Sequence, residues 1–540
     1  MTFTSLIFAI FAAVTILLYF ALPLGRNRWV VLLAASYFFY VYNSYKYTAF
    51  ILLTTATIYA AAVRMESISE KTKALIKEKK AELSREERKA LKKQAESRRK
   101  TLLALTLLLN FGILFMLKYL NFLAGGLMSL LGGADRSGGT EIIHLLLPLG
   151  ISFYTFQATG YLIDVYRETV RAERNPAKFA LFVSFFPQIV QGPISTFEHL
   201  GEQLFADRKP EWIRFKTGGE LILWGMFKKL IIADRAVNAV TTVSGDYWSY
   251  SGEMILFAAL LYAFQLYADF SGGIDIARGV ARILGIDLEV NFRQSYFSRS
   301  ISEYWRRWHI TLGAWMKKYV FYSLAVSKGF MNMSKAIGSG KYKDSPVVKH
   351  IAKTLPTALA SFIVFLLIGI WHGANSRYIG FGLWNGAVIA FSALMMPVYE
   401  RALKALRIRA ESWIWQGFQM LRTFVIILVG YYFDIAPDLR GAIDMMKRSV
   451  FDLHGVPALS QLRELGLYRS DLLVLAYGFV IMLFFSIRLE KTGIETPGDL
   501  LCRRPAWIQW IAIFIGIMSL LLFGMYGSGY DAADFIYMGF

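Results

Sequence analysis

Asn291–Leu312 reads N-F-R-Q-S-Y-F-S-R-S-I-S-E-Y-W-R-R-W-H-I-T-L and Leu367–Gly386 reads L-I-G-I-W-H-G-A-N-S-R-Y-I-G-F-G-L-W-N-G. Each stretch holds one histidine beside a tryptophan, His309 and His372, in or against an apolar segment where an ionisable side chain is expensive and marks a candidate site. In the first stretch Ile301, Trp305, Trp308, Leu312 and Trp315 recur every three or four residues, which predicts one apolar helical stripe with His309 at its border. Arg299, Glu303, Arg306 and Arg307 fall on the opposite side, so the element is an amphipathic basic helix at a membrane face, its basic side cytoplasmic. No Asp, Glu, Lys or Arg occurs from Thr354 to Ser376 or from Tyr378 to Tyr399. Both runs are long enough to cross a bilayer, so His372 sits near the tip of a hairpin of two spans.

Composition agrees with a membrane chain. Hydrophobic residues make up 56% of the 540, against about 45–50% in soluble domains, and the mean hydropathy is +0.43. The formal charge of +20 lies mostly between apolar runs, where lysine and arginine act as topology signals, so no nucleic-acid partner is expected. The single cysteine, Cys502, permits no disulfide within these residues and has no neighbouring histidine to activate it. No His is followed by Asp at the fourth or fifth position, and G-x-S-x-G and H-E-x-x-H are absent, so neither a serine-hydrolase elbow nor a metal centre is expected.

Taken in order, Thr4–Leu24 is a retained span without a signal-peptide cleavage pattern. Spans near Trp29–Tyr42 and Thr48–Val63 follow. Residues 64–100 then carry fourteen Lys/Arg against seven Glu, which predicts a charged cytoplasmic helical insertion in one 540-residue membrane domain. Spans are expected at Thr101–Leu123 and Ile142–Ile163. Phe179–Pro193 is short and ends in Pro187, Gly192 and Pro193, so it enters the membrane and breaks. Leu221–Ala233, with Lys228 and Lys229, is expected as a tilted or interfacial helix, and Asp269 and Asp275 near Arg278 as a structural ion pair. With residues 64–100 and 488–504 cytoplasmic, both termini are outside and the fold is an all-α polytopic membrane protein. About eleven transmembrane helices, with re-entrant and interfacial helices, are expected around a central passage.

W-R-R-W-H followed about sixty residues later by W-H-G-A-N resembles the membrane-bound O-acyltransferase family, in its alginate O-acetyltransferase-like bacterial branch. P-L-G-I-S-F-Y-T-F-Q-A-T-G-Y-L-I-D-V-Y-R from Pro148, F-F-P-Q-I-V-Q-G-P-I from Phe185, F-K-K-L-I-I-A-D-R from Phe227 and Y-A-D-F-S-G-G-I-D-I-A-R-G from Tyr267 resemble that branch in the same order. The resemblance implies that His372 is catalytic and His309 its partner. It also implies a separate extracytoplasmic partner of the serine-hydrolase-like type and, as acceptor, an exported or cell-surface polysaccharide. A buried neutral imidazole suits the general base that acyl transfer to a hydroxyl requires, and His372 takes that role. Asn375, Arg377, Trp305 and Trp371 are candidates for substrate binding. No bound cofactor is expected; the acyl group, expected to be acetyl, arrives on a thioester donor, acetyl-CoA or an acyl carrier protein, from the cytoplasmic side of the cell's inner membrane. D-alanyl transfer to teichoic acids, and a transporter without chemistry, stand as alternatives.

Overall fold

A computed structural model of the protein describes residues 1–130, 148–340, 342–457, 459–526 and 535. Among these every element is helical, with one isolated antiparallel bridge between Phe292 and Trp308. The protein is an all-α polytopic membrane protein. It divides into two compact units, Met1–Ile222 with Ile276–Glu289, and Leu223–Asp275 with Val290–Ile536.

In the first unit α1 (Leu6–Ala21) packs on α2 (Trp29–Ser44) through Phe8, Phe11 and Phe39. The charged residues 64–100 belong to a long hairpin, α3 (Thr48–Glu78) and α4 (Arg85–Leu130). The next helix is α5 (Ile151–Tyr166); residues 142–147, where its span was expected to begin, lie outside the described residues. Glu168, just beyond α5, takes Lys73 Nζ and Ser69 Oγ at 2.6 Å and Arg99 Nη1 at 2.7 Å. Arg174 reaches Glu66 and Glu70 on α3. The membrane-proximal part of the hairpin is therefore stapled to the 166–174 loop. The Lys73 and Ser69 hydrogen bonds hold the Glu168 carboxyl down to about 2.

The break expected near Phe185–Pro193 is present. Helix α6 (Pro176–Ser184) ends, and a single turn at Phe186–Ile189 follows. Freed backbone groups find buried partners here: Gln157 Nε2 donates to Phe182 O at 2.6 Å, and Phe186 N donates to Ser36 Oγ at 3.1 Å. Irregular backbone at membrane depth survives only when protein satisfies it in this way. Gly150 has φ +66, and a Cβ there would stand 2.0 Å from Ile189 O, so the turn accepts no larger residue.

The second unit contains α7 (Gly252–Ile283), which begins in it, α8 (Ile301–Arg307), α9 (Ile310–Trp315) and the hairpin α10 (Pro346–His372) and α11 (Ser376–Leu394). These are followed by α12 (Met396–Ala405), α13 (Trp413–Ile435), α14 (Arg469–Thr492) and α15 (Ala506–Phe523). Among the described residues seven helical runs are long and apolar enough to cross a bilayer, and α11 with α12, bent by 58°, adds an eighth. The count of eleven is not confirmed. Helices α2 and α3 belong to one continuous apolar run, Gly25–Glu78, and α1 and α5 have only 16 residues each.

Lys228 and Lys229 lie in Phe227–Ala233, wound as a π-helix, and both are buried rather than interfacial. Lys229 Nζ stands 2.6 Å from Asp269 and 2.9 Å from Asp234; Lys228 Nζ stands 2.6 Å from Asp275 and 2.7 Å from Ser271 Oγ. Asp269 and Asp275, expected in a structural ion pair, are engaged by these two lysines. A wide π-turn is a common device where a helix must redirect side chains, and here it aims two ammonium groups at α7.

Removing one member of such a buried set leaves uncompensated charge, so Lys229→Met is expected to cost about 3–5 kcal/mol. Lys73→Ala, at an exposed ion pair, is expected to cost under about 1 kcal/mol. Thermal unfolding in detergent checks both, and neutralising Asp234→Asn and Asp269→Asn beside Lys229→Met should recover much of the loss. Equal falls for the two single variants would contradict the assignment.

Candidate active site

The single helix expected from Ile301 to Trp315 is interrupted at the histidine. α8 stops at Arg307, Trp308 is extended, and His309 takes a left-handed conformation, φ 46°, before α9 begins. The apolar period is kept on both sides, but the backbone between them turns. The cause lies eighteen residues upstream. Asn291 O accepts from Ile310 N at 3.0 Å, and its side-chain Oδ1 accepts from Thr311 N and Thr311 Oγ1, both at 3.0 Å. Arg307 O takes Arg293 N and Ser295 Oγ at 2.9 Å. The 291–295 segment therefore satisfies the groups that the interruption frees.

Those contacts also fix the imidazole. The Thr311 backbone N–H can only donate, so the side-chain atom of Asn291 facing it is the oxygen. His309 Nδ1 lies 3.3 Å from the same oxygen and must carry the proton in that contact. In the neutral ring Nε2 is then the accepting nitrogen. The ring is buried, edge-on to Phe270 on α7 with centroids 4.9 Å apart.

His372 is the last residue of α10. Its ring is stacked on Tyr378 at 6.0 Å and meets Phe381 edge-on at 5.3 Å, both on α11. The two helices approach closely because glycine lines their contact: a Cβ on Gly369 would stand 2.3 Å from Tyr378 O, and one on Gly382 would stand 2.7 Å from Phe365 O. Small residues at a helix contact are how membrane hairpins pack tightly. Trp371 lies against both histidines, its ring 6.4 Å from that of His309 and 5.0 Å from that of His372.

The other sequence candidates divide. Trp305 Nε1 donates to Asn385 Oδ1 at 3.1 Å, tying α8 to α11, and its ring packs edge-on to Phe365 at 5.1 Å. Trp305 and His309 both line a cavity of about 400 Å³, together with Val364, Phe365 and Ile368 of α10. Trp371 and His372 are not in its lining, so it reaches one histidine and stops short of the other. Asn375 and Arg377 lock the hairpin tip. Asn375 Oδ1 caps α11 through Arg377 N at 3.0 Å and its Nδ2 donates to Pro437 O at 3.0 Å, while the Arg377 guanidinium donates to Ala436 O and Tyr378 Oη.

Three participants were not singled out from the sequence. Asn291 and Phe270 shape the His309 site, and Tyr431 on α13 lies 2.8 Å from Tyr304 Oη and 3.0 Å from Tyr296 Oη. Stacking of Tyr304 on Trp308 at 5.6 Å connects this hydroxyl cluster to the interruption. The signal available was a polar residue in an apolar run, as in Y-Y-F-D ending at Asp434.

The family model for MBOAT, the membrane-bound O-acyltransferase family, matches residues 115–338, which take in His309 and end before His372. The probable alginate O-acetylase AlgI of Pseudomonas syringae pv. tomato is 30% identical over 473 residues, 86% of this chain and 77% of that protein. The peptidoglycan O-acetyltransferase of Helicobacter pylori is 28% identical over 461 residues, 80% of this chain and 75% of that protein. The teichoic acid D-alanyltransferase of Bacillus subtilis is 28% identical over 256 residues, 46% of this chain and 59% of that protein. On the extent of the alginate-acetylase match, the chain belongs to the membrane-bound O-acyltransferase family.

Proposed function

We propose that the protein passes an acetyl group from a thioester donor on the cytoplasmic side across the membrane for O-acetylation of an exported or cell-surface polysaccharide, with His372 as general base. The observation that carries this reading is the pair of buried imidazoles set against one indole, with a cavity ending at the first of them. In the reaction His372 takes the acceptor hydroxyl proton, the oxygen attacks the thioester carbonyl, the C–S bond breaks, and the departing sulfur takes a proton. His309, with Nε2 as acceptor, holds an N–H of the donor arm rather than polarising its carbonyl. Relatives named for acetylation of alginate and of peptidoglycan align over most of the chain, whereas the D-alanyltransferase aligns over less than half of it.

The proposal places residues 64–100 and 488–504 in the cytoplasm, both termini outside, and a serine-hydrolase-like acetyltransferase outside as the partner that completes transfer to the polymer. Co-purification of that partner tests its part. Cysteines at Lys80 and Ser460, in a Cys502→Ser background, are expected to differ towards an impermeant thiol reagent, only Ser460 reacting in intact cells. Labelling at Lys80 would reverse the orientation.

His372→Ala is expected to abolish polymer acylation at normal protein abundance, and His309→Ala to reduce turnover per folded molecule partially, chiefly through donor use. A chain that only transports would keep acylation in His372→Ala, and near-normal turnover in His309→Ala would remove the donor-side role.

Asn291→Asp keeps an oxygen facing Thr311 but adds negative charge beside His309. That charge favours the imidazolium, so the neutral ring persists only at higher pH. The acidic limb of the pH–rate profile, measured with purified protein, is expected to move upward while the folded fraction is retained. An unmoved limb would show that His309 does not act as a neutral acceptor.

A further inference from the structure

The turn that joins α1 to α2 carries two arginines in different electrostatic situations. Arg28 is paired: its Nη1 lies 3.3 Å from Asp207 Oδ1, and the same guanidinium donates to Arg208 O. Arg26 is exposed. It lines a cavity of about 470 Å³ with Trp29 at the start of α2, Lys178 in the first turn of α6, Phe205 and Asp207. Lys178 Nζ stands 4.8 Å over the Phe205 ring and 5.9 Å over that of Trp29, and the two rings meet edge-on at 6.2 Å. Among the described residues neither Arg26 nor Lys178 has a carboxylate within ion-pair distance. Asp207 is already answered by Arg28, so the cavity keeps both positive charges. A lysine in a first turn also adds to the positive end of the helix dipole, and an anion there relieves both.

The depth of the cavity follows from its neighbours. Tyr59 Oη donates to Arg174 O at 2.7 Å, and Arg174 reaches Glu66. Lys178 follows closely along the chain, so the cavity lies level with the point where α3 leaves its apolar run at Arg64. That is the boundary between hydrocarbon and water. Leu22 and Leu24 before Arg26, and Val30 after Trp29, are exposed large apolar side chains. Cations and a tryptophan beside exposed leucines mark a headgroup level. A soluble anion would match the cations and leave the leucines unmatched. A zwitterionic lipid would bring an ammonium towards two unpaired positive charges. An anionic headgroup on hydrocarbon chains matches both halves, and basic pockets among membrane helices are built to take such headgroups.

We propose that Arg26 and Lys178 hold the phosphate of an anionic glycerophospholipid, whose headgroup lies against Trp29 and Phe205 and whose acyl chains lie along Leu22, Leu24 and Val30. A planar guanidinium suits two phosphate oxygens, and the lysine supplies a point charge beside it. The bound lipid ties the α1–α2 turn to α6 and to the loop at Phe205, in parallel with the Arg28–Asp207 pair. The site shares no residue with either histidine site and does not depend on the acyl transfer proposed above. In the orientation given there it faces the cytoplasmic leaflet.

The test is native mass spectrometry of the purified, delipidated chain titrated with phosphatidylglycerol, phosphatidylethanolamine, phosphatidylcholine and glycerol 1-phosphate. Arg26→Gln, Lys178→Gln and Lys178→Arg are compared with Lys80→Gln, which removes the same charge from the tip of the α3–α4 hairpin. Wild type is expected to bind phosphatidylglycerol more tightly than either zwitterionic lipid. Each variant at the cavity that ends in Gln should weaken that binding about fivefold, Lys178→Arg should recover part of it, and Lys80→Gln should leave it unchanged. Equal weakening in Lys80→Gln would reduce the effect to diffuse attraction by a basic chain and overturn the proposal. Zwitterionic lipids bound as tightly as phosphatidylglycerol would overturn it too, and glycerol 1-phosphate bound as tightly as the lipid would make this a soluble-anion site instead. Arg26 is on an exposed turn, so its variant keeps the test open if Lys178→Gln fails to fold. Thermal unfolding in detergent gives a second readout: phosphatidylglycerol should raise the melting temperature of wild type more than that of Arg26→Gln, and an equal rise in both counts against the site.

Discussion

One side-chain oxygen, Asn291 Oδ1, organises the region around the first histidine. A left-handed residue other than glycine costs roughly 1–2 kcal/mol, and His309 is such a residue. Three contacts to that oxygen, two from Thr311 and one from His309, offset the cost at about 1 kcal/mol each. Without the turn, a continuous helix would carry the histidine past Phe270 on a regular 100° step. With it, Trp308 and His309 are presented by extended and left-handed backbone, and the tautomer is set by the same atom that sets the fold.

The second histidine is placed by different physics. Glycines bring α10 and α11 into backbone contact, so Tyr378 and Phe381 close around His372. Asn375 and Arg377 then secure the hairpin tip to the end of α13. A polar clasp thus shapes the backbone at one imidazole, and close helix packing shapes it at the other.

Much of this was legible in the sequence because it is local. Charge-free runs of bilayer length gave the α10–α11 hairpin, the Lys/Arg-rich residues 64–100 read as helix, and proline with glycine marked the break after α6. The interruption at His309 was not legible. Trp305, Trp308, Leu312 and Trp315 obey a helical period whether or not the backbone is continuous, and the residue that breaks it lies outside the window. Lys228 and Lys229 were misplaced for a related reason. Their burial depends on aspartates more than thirty-five positions away for Asp269 and Asp275, and interfacial lysines in a short apolar run look the same in one dimension.

Trp371 has an electrical consequence. A charge moved across a membrane at 100 mV changes energy by about 2.3 kcal/mol, and most of that drop falls across whatever part of the path excludes water. Trp371, Phe270 and the two imidazoles are all buried, so the layer they form is shielded from water. A neutral acetyl group handed from one side of the indole to the other feels none of the field, whereas a proton or a phosphate would. In the transfer proposed above, the voltage would act on the proton that leaves the acceptor hydroxyl and on the one the sulfur takes, and not on the acetyl group itself.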